Sequence, residues 1–247
     1  MSPLQMEITP DQFSSHIPLF EKEADNIAAF IANLSVEEVA ERIGISQGLA
    51  AKAKVLFYDF HNKTTGYPAL QAFTGEVFKS FEYGSLSKQQ QAFASEKIGI
   101  ISSLYGFLNP TSIIKPYRLD FSSSGSPSGE AMWRFWKKDL TIAFVKMLKA
   151  KGEKEIVDLL PSDASKCLDW KVIKAFAKVV KIEFKILGDN ATLRTPHAGK
   201  LKELRGKFLR RIIEENINNL NSVMTLDSPD FAPAPELHRP GMPLFIA

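Results

Sequence analysis

The chain has 247 residues, 45% apolar and 24% charged, which is enough to bury a full core. Its 31 Lys and Arg against 28 Asp and Glu leave a net charge of +3, which permits an anionic partner without requiring one. No stretch reaches the length of a membrane span and no charged-then-apolar leader opens the chain, so the cytoplasm is the expected compartment. Cys167 alone excludes an internal disulfide and a cysteine-built zinc site, and it reads as a small core residue more readily than as a redox thiol. His16, His61, His197 and His238 match no ligand spacing, so no metal and no cofactor is expected. No Pro/Gly/Ser linker of useful length appears, and residues 1–247 read as a single domain in which 122–129 is a mobile surface loop.

In chain order, Phe20, Ala24, Ile27, Ile31 and Leu34 form one helical stripe, with Pro18 suited to a first turn. Ser35-Val36-Glu37-Glu38 is a capping box that starts a short second helix. Gly44-Ile45-Ser46, followed by Ala50, resembles the helix-hairpin-helix pattern of glycine, aliphatic, glycine and later alanine, with serine in place of the second glycine. In such a hairpin (about 35–58) the backbone N–H groups at a helix N-terminus hold a DNA phosphate without reading its base, and Lys52 and Lys54 would add contacts. Val55, Leu56 and Phe57 are assigned to its packing side. An ordinary helical hairpin with a glycine turn fits the same residues. A helix-turn-helix fits them less well, because 47–57 is short of polar side chains suited to base edges.

Residues 62–67 form a polar turn, Ala69 to Phe73 a strand, Glu76 to Phe81 an amphipathic helix, and Ser87-Lys88-Gln89-Gln90 caps another. The apolar run from Ile98 ends at Tyr105-Gly106, and Asn109-Pro110 breaks the chain again. Lys115-Pro116-Tyr117-Arg118 is then an extended arm of alternating cation and aromatic. It suits an anionic ligand, although a core strand, a loop and a surface arginine describe it too. Aromatics from Trp133 to Phe144 lie at helical spacing. Ile156 to Leu160 is a buried strand ending at Ser162-Asp163, and Val179 to Leu187 alternates apolar and charged residues. The basic helix 200–214 places Lys207 and Arg210 opposite Leu201, Leu204, Phe208 and Ile212. Arg205 falls inside the apolar sector, where an arginine needs an acid or an anion-binding cleft. A solvated charged face is the alternative reading of Lys207 and Arg211.

Ser102, Leu104-Tyr105-Gly106, Leu108, Pro110 and Pro116-Tyr117-Arg118-Leu119 resemble the S-G-L-Y-G-x-L-R-P to P-Y-R-L-E-M block of the YaaA family of bacterial peroxide-stress proteins. Ala72-Phe73-x-Gly75-Glu76-Val77-Phe78, Phe135-Trp136, and Arg205-Gly206 with Arg210 and Ile212-Ile213-Glu214 resemble further blocks of the family in the same order. Two features depart from it. The family's N-terminal S-P-A-K-T motif is missing from Met1-Ser2-Pro3-Leu4-Gln5, with Met1's standing as the native start left open, and Ala164-Ser165 replace a Glu-Tyr pair. The proline-rich tail at about 228–247 also departs and is expected to be extended.

What the resemblance implies is an α+β (mixed α/β) domain with a mixed β-sheet wrapped by helices, a helix-hairpin-helix element, and a basic cleft that binds double-stranded or branched DNA in peroxide stress. The residues assigned to DNA or anion binding are Gly44, Ser46, Lys52, Lys54, Lys115, Arg118, Arg205, Lys207, Arg210 and Arg211. Tyr105, Tyr117, Trp136, Ser162 and Asp163 are the candidates for lining the cleft. The alternative is an enzyme acting on a nucleotide-like or other small anion, with Arg118 and Arg205 as clamps and Asp163 as base; a scaffold solvated by its basic patches is the third reading. The sequence leaves open the oligomeric state and the way peroxide is sensed.

Overall fold

In the computed structural model, which describes residues 16–61, 66–188 and 192–247, apolar residues repeating every three or four positions form helices where that spacing predicts them. The chain divides into two compact units: one of the described residues up to Gly75 with Ser95–Met147 and Leu160–Ile173, the other of Glu76–Ala94, Leu148–Leu159 and Lys174–Ala247. Residues 62–65 of the expected polar turn at 62–67 and the N-terminal Ser2-Pro3 lie outside the described residues.

The first unit begins with α1 (Glu21–Asn33), which buries Ala24, Ile27, Ala28 and Ile31. The predicted box then starts α2 (Val36–Ile43): Ser35 Oγ accepts from the Glu38 N–H at 3.1 Å and the Glu38 carboxylate accepts from the Ser35 N–H at 2.7 Å. α3 (Gln47–Tyr58) follows after three residues. β1 (Tyr67–Pro68) comes next, and α4 (Ala69–Ala72) is a helical turn where a strand was expected; its alanines favour helix over a pleated surface. The apolar run gives β2 (Ile100–Ser102), which pairs antiparallel with β3 (Gly106–Leu108); Gly106 has φ +65°. β4 (Ile113–Ile114) pairs with β1.

Trp136, on α7 (Met132–Lys151), is 1% exposed, donates from its indole to Ser103 O at 2.7 Å and lies 5.2 Å from the Phe20 ring. It is core rather than cleft wall. The serine loop is also packed: Ser123, Gly125 and Ser126 are buried. A Cβ at Gly125 would approach the Leu119 Cδ1 methyl to 2.6 Å, so a larger residue here would have to displace that buried side chain. The expected surface loop is thus partly packed: Ser122, Pro127, Ser128 and Gly129 are exposed, while its short middle residues turn inward.

In the second unit α5 (Glu76–Phe81) packs against α10 (Ala198–Glu214), where Gly206 lets the helices approach: a Cβ there would meet Val77 O at 2.3 Å. α6 (Lys88–Lys97) begins at the second capping box, Ser87 with Gln90. β5 (Glu155–Asp158) pairs parallel with β6 (Lys178–Lys181), and β7 (Glu183–Leu187) follows β6 after a break at Ile182, so the predicted single strand is two. β7 pairs antiparallel with β8 (Leu193–Arg194). The proline-rich tail is extended and also built in: β10 (Leu244–Ile246) lies between β7, parallel, and β9 (Ala232–Pro233), antiparallel, with Phe245 fully buried. Phe184, Phe208, Phe231 and Phe245 form the centre of this core, with Phe208 and Phe245 4.9 Å apart.

Helix and strand are thus mixed as expected. The described strands form four small sheets rather than one; the largest, β8-β7-β10-β9, mixes parallel and antiparallel pairs. Among the described residues no helix is long and apolar enough to cross a membrane.

Candidate nucleic-acid interface

The α2–α3 connection is set by two residues. Gly44 closes α2 with φ +72° and ψ 42°, a left-handed conformation that favours glycine, and its N–H donates to Ala40 O at 2.9 Å. Ser46 is the N-cap of α3 with φ −63° and ψ 154°, an extended conformation any residue adopts, which explains why serine serves where the pattern has glycine. Its hydroxyl makes no capping bond. The N–H groups of Gln47, Gly48 and Leu49 therefore have no acceptor among the described residues, all three residues are exposed, and nothing stands within 4 Å of Gly48's missing side chain. Lys52, one to two turns further, is exposed and forms no ion pair among the described residues.

Lys54 is used differently. Its ammonium donates to Ala32 O at 2.9 Å and to Leu34 O, so it satisfies carbonyls at the C-terminal end of α1. On α3 only Phe57 of the predicted packing trio is buried; Val55 is 58% exposed.

The arm 115–118 is partly a core element. Lys115 donates from Nζ to Phe60 O and lies 5.1 Å over the Phe60 ring, while its N–H donates to the Tyr105 hydroxyl at 2.9 Å. Tyr117 is fully buried with its hydroxyl 2.9 Å from Ser102 Oγ. Burial raises both phenols above the ordinary tyrosine range, Tyr117 to about 12, so at neutral pH they act as hydrogen-bonding groups and not as bases. Arg118 is half-buried, and its Nε is buried with no hydrogen-bond partner. Tyr105 and Lys115 share a cavity of about 160 Å³ with His16, Glu21, Asp25 and Phe60, so two carboxylates stand beside its one lysine. Ser162 and Asp163 are exposed at the start of the short α8 (Ser162–Ser165). The buried Cys167 thiol is pushed up to about 12 by burial and by Asp163, which suits a core residue.

Helix α10 carries six Lys and Arg, and its charges are largely matched. Glu203 takes Lys200 and Lys207, each at 2.9 Å, and Lys207 also reaches Asp230 at 2.5 Å. Arg210 binds Glu214 at 2.8 Å and Glu82 at 3.2 Å, and caps the end of α5 through Phe81 O and Glu82 O. Arg211 pairs with Glu214 and Glu215. These bonds hold Lys207 above and Glu203 below their ordinary values. Arg205 is half-buried rather than enclosed by the apolar stripe, and it too has a partner. The pairs within α10 were visible as acids three and four residues from the bases; Asp230 and Glu82 were not.

Among the described residues no group of His, Cys, Asp and Glu is arranged to hold a metal ion. In comparisons with known proteins, residues 3–237 match the family described as peroxide stress protein YaaA. UPF0246 proteins are similar over most of their length. That of Bacteroides thetaiotaomicron is 32% identical over 81% of this chain and 77% of its own. The figures are 29% over 91% and 88% for Bordetella petrii, and 26% over 96% and 94% for Porphyromonas gingivalis. With nearly the whole chain matched, the protein belongs to the peroxide stress protein YaaA family.

Proposed function

We propose that this chain serves the response to peroxide stress by binding double-stranded DNA through its phosphates, largely without sequence preference. The observation that carries the reading is the N-terminus of α3: three exposed residues whose amides have no acceptor among the described residues, an unobstructed glycine among them, and Lys52 on the same helix with no ion pair among the described residues. A phosphate oxygen satisfies those amides without touching a base, as a helix-hairpin-helix does. Arg118, half-buried and with no carboxylate partner among the described residues, is the second cation available to an anion. The smaller role of Lys54, Lys207, Arg210 and Arg211 in this reading follows from their present partners. Turnover of a small anion is less favoured, since the phenols are protonated and the cavity is lined by carboxylates.

Fluorescence-anisotropy titration of a duplex and a branched DNA at two salt concentrations tests it. Binding that weakens steeply with salt, and by a similar factor on unrelated sequences, is the expected result. Binding indifferent to salt, or none at low salt, sinks the reading.

A further inference from the structure

We propose that Arg42 is a second phosphate-binding cation of the hairpin and that the serine loop holds it in position. This rests on the DNA reading above and extends it to a residue with no assigned role. Arg42 stands in the last turn of α2, two residues before Gly44. Its guanidinium donates to Ser124 O at 3.4 Å and lies over the Phe30 ring at 5.3 Å. No carboxylate of the described residues pairs with it, and it is half-exposed. Its other N–H donors have no acceptor among the described residues, and the side chain is already restrained at two points.

The loop fixes the backbone beneath it as well. Ser124 N–H donates to Arg42 O at 2.9 Å and Ser123 Oγ to Ile43 O at 3.4 Å, which satisfies two carbonyls at the end of α2 that the helix itself leaves open. The exchange between Arg42 and Ser124 is reciprocal, since each residue donates to the other's carbonyl. The close passage of Gly125 past Leu119 and Ile31 anchors the loop in the core. A planar guanidinium held by one Nη on Ser124 O and by its face over Phe30 keeps its other donors for a partner, which suits two oxygens of a phosphodiester better than a lysine would. The competing role for Arg42 is to complement the negative end of α2 and nothing more.

Salt-dependent titration of a duplex with Arg42→Gln, Arg42→Lys, Phe30→Leu and Ser123→Ala separates these roles. Arg42→Gln is expected to lower the slope of log K against log salt by about 0.9. Arg42→Lys restores the slope but not the full affinity. Phe30→Leu and Ser123→Ala keep the slope and weaken binding, the former by roughly two- to five-fold. Far-UV circular dichroism and a thermal melt check that each variant is folded; Arg42→Gln alters a half-exposed side chain and decides the question even if a loop variant unfolds. An unchanged slope in Arg42→Gln overturns this inference while DNA binding stands. A duplex that the unmodified protein does not bind overturns both.

Discussion

Helix α10 and the α2–α3 hairpin carry similar cations in different settings. On α10, Lys207, Arg210 and Arg211 face acids within one helical turn or from Asp230 and Glu82, so an incoming phosphate competes with a carboxylate already in place. On the hairpin, Lys52 and Arg42 have no acid partner among the described residues, and three amides lack acceptors. A count of Lys and Arg ranks α10 first, but availability ranks the hairpin first. The cations of α10 are matched within the second unit, whereas Lys52 and Arg42 of the hairpin face no carboxylate of the described residues.

That contrast is broken or sharpened most strongly at Gly206. Gly206→Ala forces a Cβ against Val77 O at 2.3 Å, and overpacking of that kind costs about 1–3 kcal/mol, read as a lower urea midpoint. Replacing Arg210 by Met removes its bonds to Phe81 O, Glu82 O and Glu214, and a loss of about 1–2 kcal/mol with an unchanged salt slope for DNA is expected. A clear drop in slope would make α10 a DNA surface after all.

The pH dependence is smaller. Glu203 is held below its ordinary 4.5, chiefly by Lys207 and Lys200, so its contribution is complete above that value and is lost as pH falls through the lowered folded value. Lys207 is held above its ordinary 10.5, chiefly by Asp230, so its share is complete below that value and fades as pH rises through the raised folded value. Glu203→Gln should cost at most about 1 kcal/mol at neutral pH and flatten the acid limb of a urea-midpoint profile. Smallest in stability is Lys52→Gln, expected within about 0.5 kcal/mol of the unmodified protein by thermal melt. Its mark is instead a salt slope lower by about 0.9.

Much of the fold was legible because it is local. The stripe of α1, both capping boxes and the turn at Gly44 rest on spacings of three or four residues, and the structure realises them. What was missed depends on distant partners. Ala69 to Ala72 is short enough for either period, and it became a helical turn. The serine loop looked featureless until the core beneath Gly125 was in place. The tail's apolar Leu244, Phe245 and Ile246 carried a strand signal among prolines, but a place between β7 and β9 needs the whole unit. At the site, Gly44 and Lys52 could be chosen from sequence. Lys54 could not be set aside, because its acceptors on Ala32 and Leu34 lie about twenty residues away. Arg42 was passed over although it stands two residues before the turn glycine.

The most direct measurement compares duplex-binding salt slopes of two double variants, Arg42→Gln/Lys52→Gln and Lys207→Gln/Arg211→Gln, with the unmodified protein. Availability rather than number of cations predicts a slope lower by about 1.8 for the hairpin pair and nearly unchanged for the α10 pair. A lower slope for the α10 pair with none for the hairpin pair would contradict it.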